Sequence, residues 1–126
     1  MQSLPTIAHA LSDPNRVRLL VACLDQERCV CQLVELIDLS NASISKHLAT
    51  LKNAGLLESR REGRWVHYQT PSTPEAIIAD ALAFVRIHSV SDHQVQADQI
   101  RLAQIDAIDP AELAKQQRTQ QRTSCC

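Results

Sequence analysis

Aromatic residues are nearly absent from this 126-residue chain, in which Trp65, Tyr68 and Phe84 make up 2% of the sequence. All-β sandwiches and barrels draw heavily on aromatic side chains, so their scarcity predicts helices packed through Leu, Ile, Val and Ala. Glycine is scarcer still, with Gly55 and Gly63 alone, which leaves no glycine-rich loop to cradle a phosphate. No cysteine opens a Cys-x5-Arg phosphate loop either, so a small thiol reductase is disfavoured and no enzymatic activity is expected. No run approaches the roughly 20 apolar residues that cross a bilayer, and the N-terminus lacks a basic segment followed by an apolar one. The expectation is a cytoplasmic protein with no membrane partner, in a compartment where cysteines stay reduced.

Five cysteines are present, four of them in two pairs: Cys29 and Cys31 within ERCVC, and Cys125 and Cys126 at the end of the sequence. In a reducing compartment, adjacent thiols point to metal ligation or redox chemistry rather than to structural disulfides. The net charge of −1 is unevenly spread. Residues 40–68 carry Lys46, Lys52, Arg60, Arg61 and Arg64 against Glu58 and Glu62, whereas the segments on either side are acidic on balance. The middle third is therefore the candidate for an anionic partner.

Helix punctuation is clear in the first half. Ser12-Asp13-Pro14 predicts a helix start ahead of RVRLLVACL. VCQLVELI, residues 30–37, predicts a helix of about two turns, and Asp38-Leu39-Ser40 turns into a second helix, Asn41 to Ala54, stopped by Gly55. Two short helices joined by a tight turn form a helix-turn-helix. On the second, Ile44, Leu48 and Leu51 share one side, while Ser43, Lys46, Thr50 and Asn53 lie opposite and Ser45 and His47 flank them. Hydroxyls, an amide, an imidazole and an ammonium suit base edges and phosphates. LLESRREGRWVHYQT then reads as a β-hairpin around Glu62-Gly63, with Arg60, Arg61 and Arg64 near its tip and Trp65 and Tyr68 packing it onto the helices. A hairpin after a recognition helix is a wing.

The run from Asp13 to Thr70 resembles the ArsR/SmtB family of metal-sensing repressors. The DPNRVRLL opening, the CVCQL turn and the ISKHLATLKNAGLLESRREGRWVHY block carry the likeness over just under half the chain. The resemblance implies a mainly α winged helix-turn-helix with a two-stranded hairpin wing, forming a homodimer through its terminal helices. It implies binding to a palindromic operator, released by an inducer ion. It places Asn41, Ser43, Ser45, Lys46 and His47 at the DNA; Thr50 and the wing arginines Arg60, Arg61 and Arg64 complete the candidate interface.

By the same resemblance, Cys29 and Cys31 match the family's Cys-Val-Cys thiolate site. Residues two apart point to opposite sides of a regular helix, so sharing one ion requires Cys29 to lie outside the helix or the first turn to be distorted. The helix dipole and Arg28 are expected to favour thiolates there. The third cysteine of the CVCxxC arsenic pattern is replaced by Val34, and Cys23 sits on an apolar run as core. A three-thiolate ion would thus draw on Cys125 or Cys126.

The intervening tail carries a weakly amphipathic stretch, then Pro110 and a glutamine-rich segment whose low hydrophobicity predicts mobility. At about sixteen residues it would reach roughly 20–24 Å. The family's zinc site on its dimer helix is incomplete, because Leu82 stands where Asp80 needs a histidine two residues on. Ile77, Ala81, Phe84, Val85 and His88 form a stripe expected to pack a dimer, and His93 with Asp92 offers at most a surface site. The expected organisation is a DNA-binding and dimerisation domain over residues 1–93 and a helical, Cys-terminated extension over 94–126. The expected inducer is As(III) or Sb(III). Cd(II) or Pb(II), or a thiol-redox or persulfide switch, are the alternatives.

Overall fold

Asp13 opens the architecture by accepting the backbone N–H groups of Asn15 and Arg16 at 2.8 and 3.2 Å. In this computed structural model, which describes residues 3–124, it caps helix α2 (Pro14–Ala22), with α1 (Leu4–Ala10) before it. Strand β1 (Arg28–Cys29) leads directly into α3 (Val30–Leu36), and α4 (Asn41–Asn53) follows. The end of α4 is a Schellman motif: Gly55 takes φ +82°, its N–H donates to Lys52 O at 2.9 Å, and Leu56 N–H donates to Leu51 O at 3.0 Å. Only glycine adopts this left-handed backbone cheaply.

The wing consists of β2 (Glu58–Glu62) and β3 (Trp65–Gln69), paired antiparallel with Glu62 opposite Trp65. The two-residue turn is thus Gly63-Arg64, one position later than the pattern indicated, with Gly63 at φ +61°. Sequence reading missed β1, which adds a third strand in the order β1-β3-β2. Two residues give no periodicity to detect, and the strand exists because β3 offers it an edge.

Helices α5 (Ala76–Ser89), α6 (His93–Asp106) and α7 (Pro110–Ser124) complete the described chain. Where composition predicts a mobile tail, residues Pro110–Ser124 are helical and Leu113 is buried. Among the described residues, no helix is long and apolar enough to cross a membrane.

The core gathers Leu19 and Leu20 of α2, Leu33 of α3 and Ile44, Leu48 and Leu51 of α4, all fully buried, with Leu56 and Leu57 beneath the wing. Each such side chain contributes about 1.5–3 kcal/mol of burial. Ion pairs then register α6 on this core: Arg18 with Asp98, Arg28 with Asp106, and Arg101 with Glu35. The stripe read as one surface on α5 divides. Val85 is buried, and Ile77 and Ala81 pack against the core, whereas Phe84 and His88 are exposed with ring centroids 4.7 Å apart. Ile87, on the outer side, is 67% exposed.

Candidate metal and nucleic-acid sites

The cysteine pair is built by the passage from strand to helix. Arg28 and Cys29 pair with Tyr68 and His67 of β3, which holds Cys29 extended at φ −72°, ψ 147° as the N-cap of α3. Gln32 Oε1 accepts the Cys29 N–H at 3.0 Å and fixes the cap. With Cys29 outside the helix and Cys31 in its first turn, the period that would separate them does not apply, and their Sγ atoms lie 2.7 Å apart. Both side chains are buried.

This contact sets the protonation of the pair. The Cys31 thiol donates to Cys29 and holds the Cys29 thiol below its ordinary range; burial opposes this, while the backbone N–H groups of Cys31 and Gln32 and the charge of His67 assist. Cys31 is pushed up in turn, because its proton is engaged with Cys29 and the site is buried. The two thiols are therefore unequal, with Cys29 the one that gives up its proton first. Arg28, expected to favour the thiolates, is instead paired with Asp106 and donates to Ala22 O at 2.9 Å. His67, which the sequence pattern did not single out, takes that role. Cys23 is a core thiol pushed up to about 12 by desolvation.

An ultraviolet thiolate titration tests this proton sharing. One thiolate is expected to appear with a midpoint below the ordinary thiol value of about 8.5, and both Cys29→Ser and Cys31→Ser should remove that early step. An early step surviving in Cys31→Ser would show that the shift does not come from the neighbouring thiol.

The pair lies at the floor of an open cleft of about 840 Å³. One wall is α4 with Asn41, Ser45 and Leu48; another is the wing with Arg64, Trp65 and Val66; the third is α7 with Ala114, Gln117 and Arg118. Gln117 Nε2 donates to Cys31 O at 2.8 Å and to Glu35 Oε2 at 3.2 Å, and Cys31 Sγ approaches Pro110 O at 4.0 Å. Val34, at the third position of the CVCxxC pattern, also lines the cleft. Among the described residues, no group of three or more Cys, His, Asp or Glu side chains is placed to hold a metal ion. Cys125 and Cys126, the sequence-predicted source of a third thiolate, lie outside the described residues. Asp92 caps α6 through Val95 N–H at 3.0 Å, and its neighbour His93 is exposed.

The polar face of α4 is partly committed to its own structure. Asn41, Ser45 and Lys46 are exposed. Ser43 belongs to the N-cap: its N–H and hydroxyl both meet Ser40 Oγ, at 3.1 and 3.0 Å. The Thr50 hydroxyl donates to Lys46 O at 3.0 Å. His47 Nδ1 lies 3.3 Å from Arg16 Nη1. A guanidinium only donates, so in this contact Nδ1 is the acceptor. Arg16 also closes the C-terminus of α1 by donating to Ala10 O and His9 O at 2.8 and 2.9 Å. Nothing local in the sequence marks it for that role.

The wing arginines differ in their contacts. Arg60 grips Glu27 through two contacts at 2.6 and 2.7 Å and reaches Glu62 at 3.0 Å. Its guanidinium holds the Glu27 carboxyl below the usual range, against the opposing effect of burial. Arg61 and Arg64 are exposed. A Cβ added at Gly63 would meet no atom within 4 Å, so the turn's positive φ alone calls for glycine there.

Comparison with known proteins agrees with this geometry. Residues 13–59 match the family described as "Bacterial regulatory protein, arsR family". The chain is 35% identical over 103 residues to the "Arsenic resistance transcriptional regulator ArsR1" of Pseudomonas putida, covering 80% of this chain and 78% of the relative. It is 45% identical over 60 residues to a "Cadmium resistance transcriptional regulatory protein CadC homolog" of Staphylococcus aureus, 47% of this chain and 50% of that one. Among solved structures, the homodimeric winged helix-turn-helix domain Mb0332 of Mycobacterium bovis superposes with a TM-score of 0.58 at 25% identity, over 71% of this chain and 82% of its own.

Proposed function

The chain belongs to the ArsR family of DNA-binding transcriptional regulators, and from that membership we propose that it is a repressor released from a palindromic operator by a thiophilic ion, As(III) or Sb(III) first. The observation that carries this reading is the Cys29–Cys31 pair, 2.7 Å apart on the floor of the cleft between α4 and the wing. Two thiolates bound at about 2.3 Å to a tetrahedral centre stand roughly 3.7 Å apart, so the pair need open by only about an ångström. Two soft thiolates favour soft ions over harder ones. The likeness to a cadmium-resistance regulator supports Cd(II) or Pb(II) as the second reading.

A third thiolate would come from Cys125 or Cys126. With about 1.5 Å rise per residue, Ser124 lies roughly 10 Å along α7 from Gln117, which touches Cys31. A homodimer is the assembly that a palindromic operator demands. Phe84 and Ile87 of α5 and Leu4 of α1, each more than 60% exposed, offer the apolar surface for it.

In this reading Asn41, Ser45 and His47 face base edges, Lys46, Arg61 and Arg64 face phosphates, and Ser43, Thr50 and Arg60 support the elements that carry them. Titrating the protein on an operator selected from random duplexes with arsenite, antimonite, cadmium, lead and zinc tests the proposal by fluorescence anisotropy. Arsenite and antimonite should release the DNA at the lowest concentrations; release by zinc alone would overturn the thiol assignment. Before induction, Lys46→Ala and Arg64→Ala should each lower the slope of log K against log salt by about 0.9, with Arg60→Ala changing it least.

A further inference from the structure

Helix α7 stands opposite the recognition helix and the wing, although its polar, glutamine-rich sequence does not mark it as part of either site. Arg118 and Arg64 look into the same cleft from different walls, with Asn41 and Ser45 on the third. Both arginines are exposed, and among the described residues none that lines the cleft is acidic. The surface formed by α4 and the wing is thus continued by α7 without a change of charge sign, and a backbone phosphate is the occupant that this chemistry fits.

The helix is also seated on the cysteine site itself. Leu113 is buried, Gln117 Nε2 donates to the carbonyl of Cys31, and the Cys31 thiol points toward the carbonyl of Pro110. Arg118 is the residue next to Gln117. Opening the sulfur pair to hold an ion moves the first turn of α3, on whose Cys31 carbonyl Gln117 rests. We propose that α7 is a third DNA-contacting element, in which Arg118 meets a phosphate across the cleft from Arg64, and that its seat on Cys31 makes it the lever by which ligation of the cysteine pair breaks that contact. This rests on the repressor reading above and adds to it an element outside the winged helix-turn-helix.

The test uses the full-length, reduced protein, the selected operator, and arsenite as the probe ion. Arg118→Ala should weaken binding several-fold and lower the log K against log salt slope by about 0.9; Arg118→Glu should weaken it further. Circular dichroism and sedimentation of each variant should match the parent, so that the loss is not one of folding. The ratio of operator affinity without and with arsenite should fall in both Arg118→Ala and Gln117→Ala, because one has lost the contact and the other its link to Cys31. An Arg118→Ala protein with parental affinity and slope would remove α7 from the DNA interface. A lowered slope with a parental arsenite ratio in both variants would overturn the lever while leaving the contact. If arsenite fails to release the parent itself, the inducer reading falls, and the salt slopes still decide whether α7 touches DNA.

Discussion

Serine at Cys29 or at Cys31 is expected to yield a protein that stays on its operator at arsenite concentrations that release the parent. A hydroxyl is harder and far less acidic than a thiol, so neither variant can replace the lost thiolate on a soft ion. The loss is compounded by the shared proton, because the neighbouring Cys31 thiol is the largest of the causes that hold the Cys29 thiol below its ordinary range. Inducers act through differential affinity: an ion drives release only as far as it prefers the DNA-free protein, typically about 1–3 kcal/mol, or 5- to 150-fold in operator affinity. Removing either sulfur should abolish that whole factor. DNA binding without inducer should be unaffected, since both side chains are buried and serine keeps the Cys31 carbonyl on which Gln117 rests. Anisotropy titrations of the parent and the two variants measure this directly. A variant released at the parental arsenite concentration would sink the Cys29–Cys31 assignment.

Asp98→Ala is expected to be the most damaging single change outside the apolar core. Asp98 is 4% exposed and accepts from Arg18 Nε and Nη2 at 2.8 and 2.9 Å, with Gln94 adding a third contact at 3.0 Å. The alanine variant would leave the Arg18 guanidinium in a largely buried position without its carboxylate. Breaking one side of such a pair costs about 3–5 kcal/mol. Arg18 retains some solvent contact, which places the cost near the lower figure, enough to lower the melting temperature by roughly 10 °C. The exposed Arg86–Asp25 pair, by contrast, should contribute at most about 1 kcal/mol. Urea denaturation of Asp98→Ala and Asp25→Ala compares the two. Similar small losses would mean that α6 is held by Leu102 and Ile105 burial rather than by its ion pairs.

Much of the fold was legible in order along the chain. The Asp13-Pro14 start, the apolar spacing of Ile44, Leu48 and Leu51 and the Gly55 stop are local signals, and α2 and α4 formed where those signals stand. Their physics lies in caps, periodicity and positive φ, each of which involves residues a few positions apart. The hairpin was legible for the same reason, with its turn shifted by one residue. Strand β1 and the packing of α7 were not legible, because each depends on a partner far away in sequence: His67 and Tyr68 for the one, Cys31 and Glu35 for the other. Low hydrophobicity marked residues 110–124 as mobile, yet Leu113 and Gln117 suffice to seat one face of the helix.

The candidate sites divide along the same line. By itself, the sequence determined that a Cys-Val-Cys precedes a recognition helix and a basic wing, since motif identity and charge are properties of the chain. Only the tertiary structure decided what those residues face. It brought the two sulfurs together by making Cys29 a strand residue and Cys31 a helical one, and it took Arg28 away to Asp106 and put His67 beside the thiols. It also paired Arg60 with the Glu27 and Glu62 carboxylates, a contact that the sequence does not show. Charge and ligand chemistry are written residue by residue, but coordination, pairing and proton sharing are functions of distance, and distances between remote residues exist only after the chain has packed.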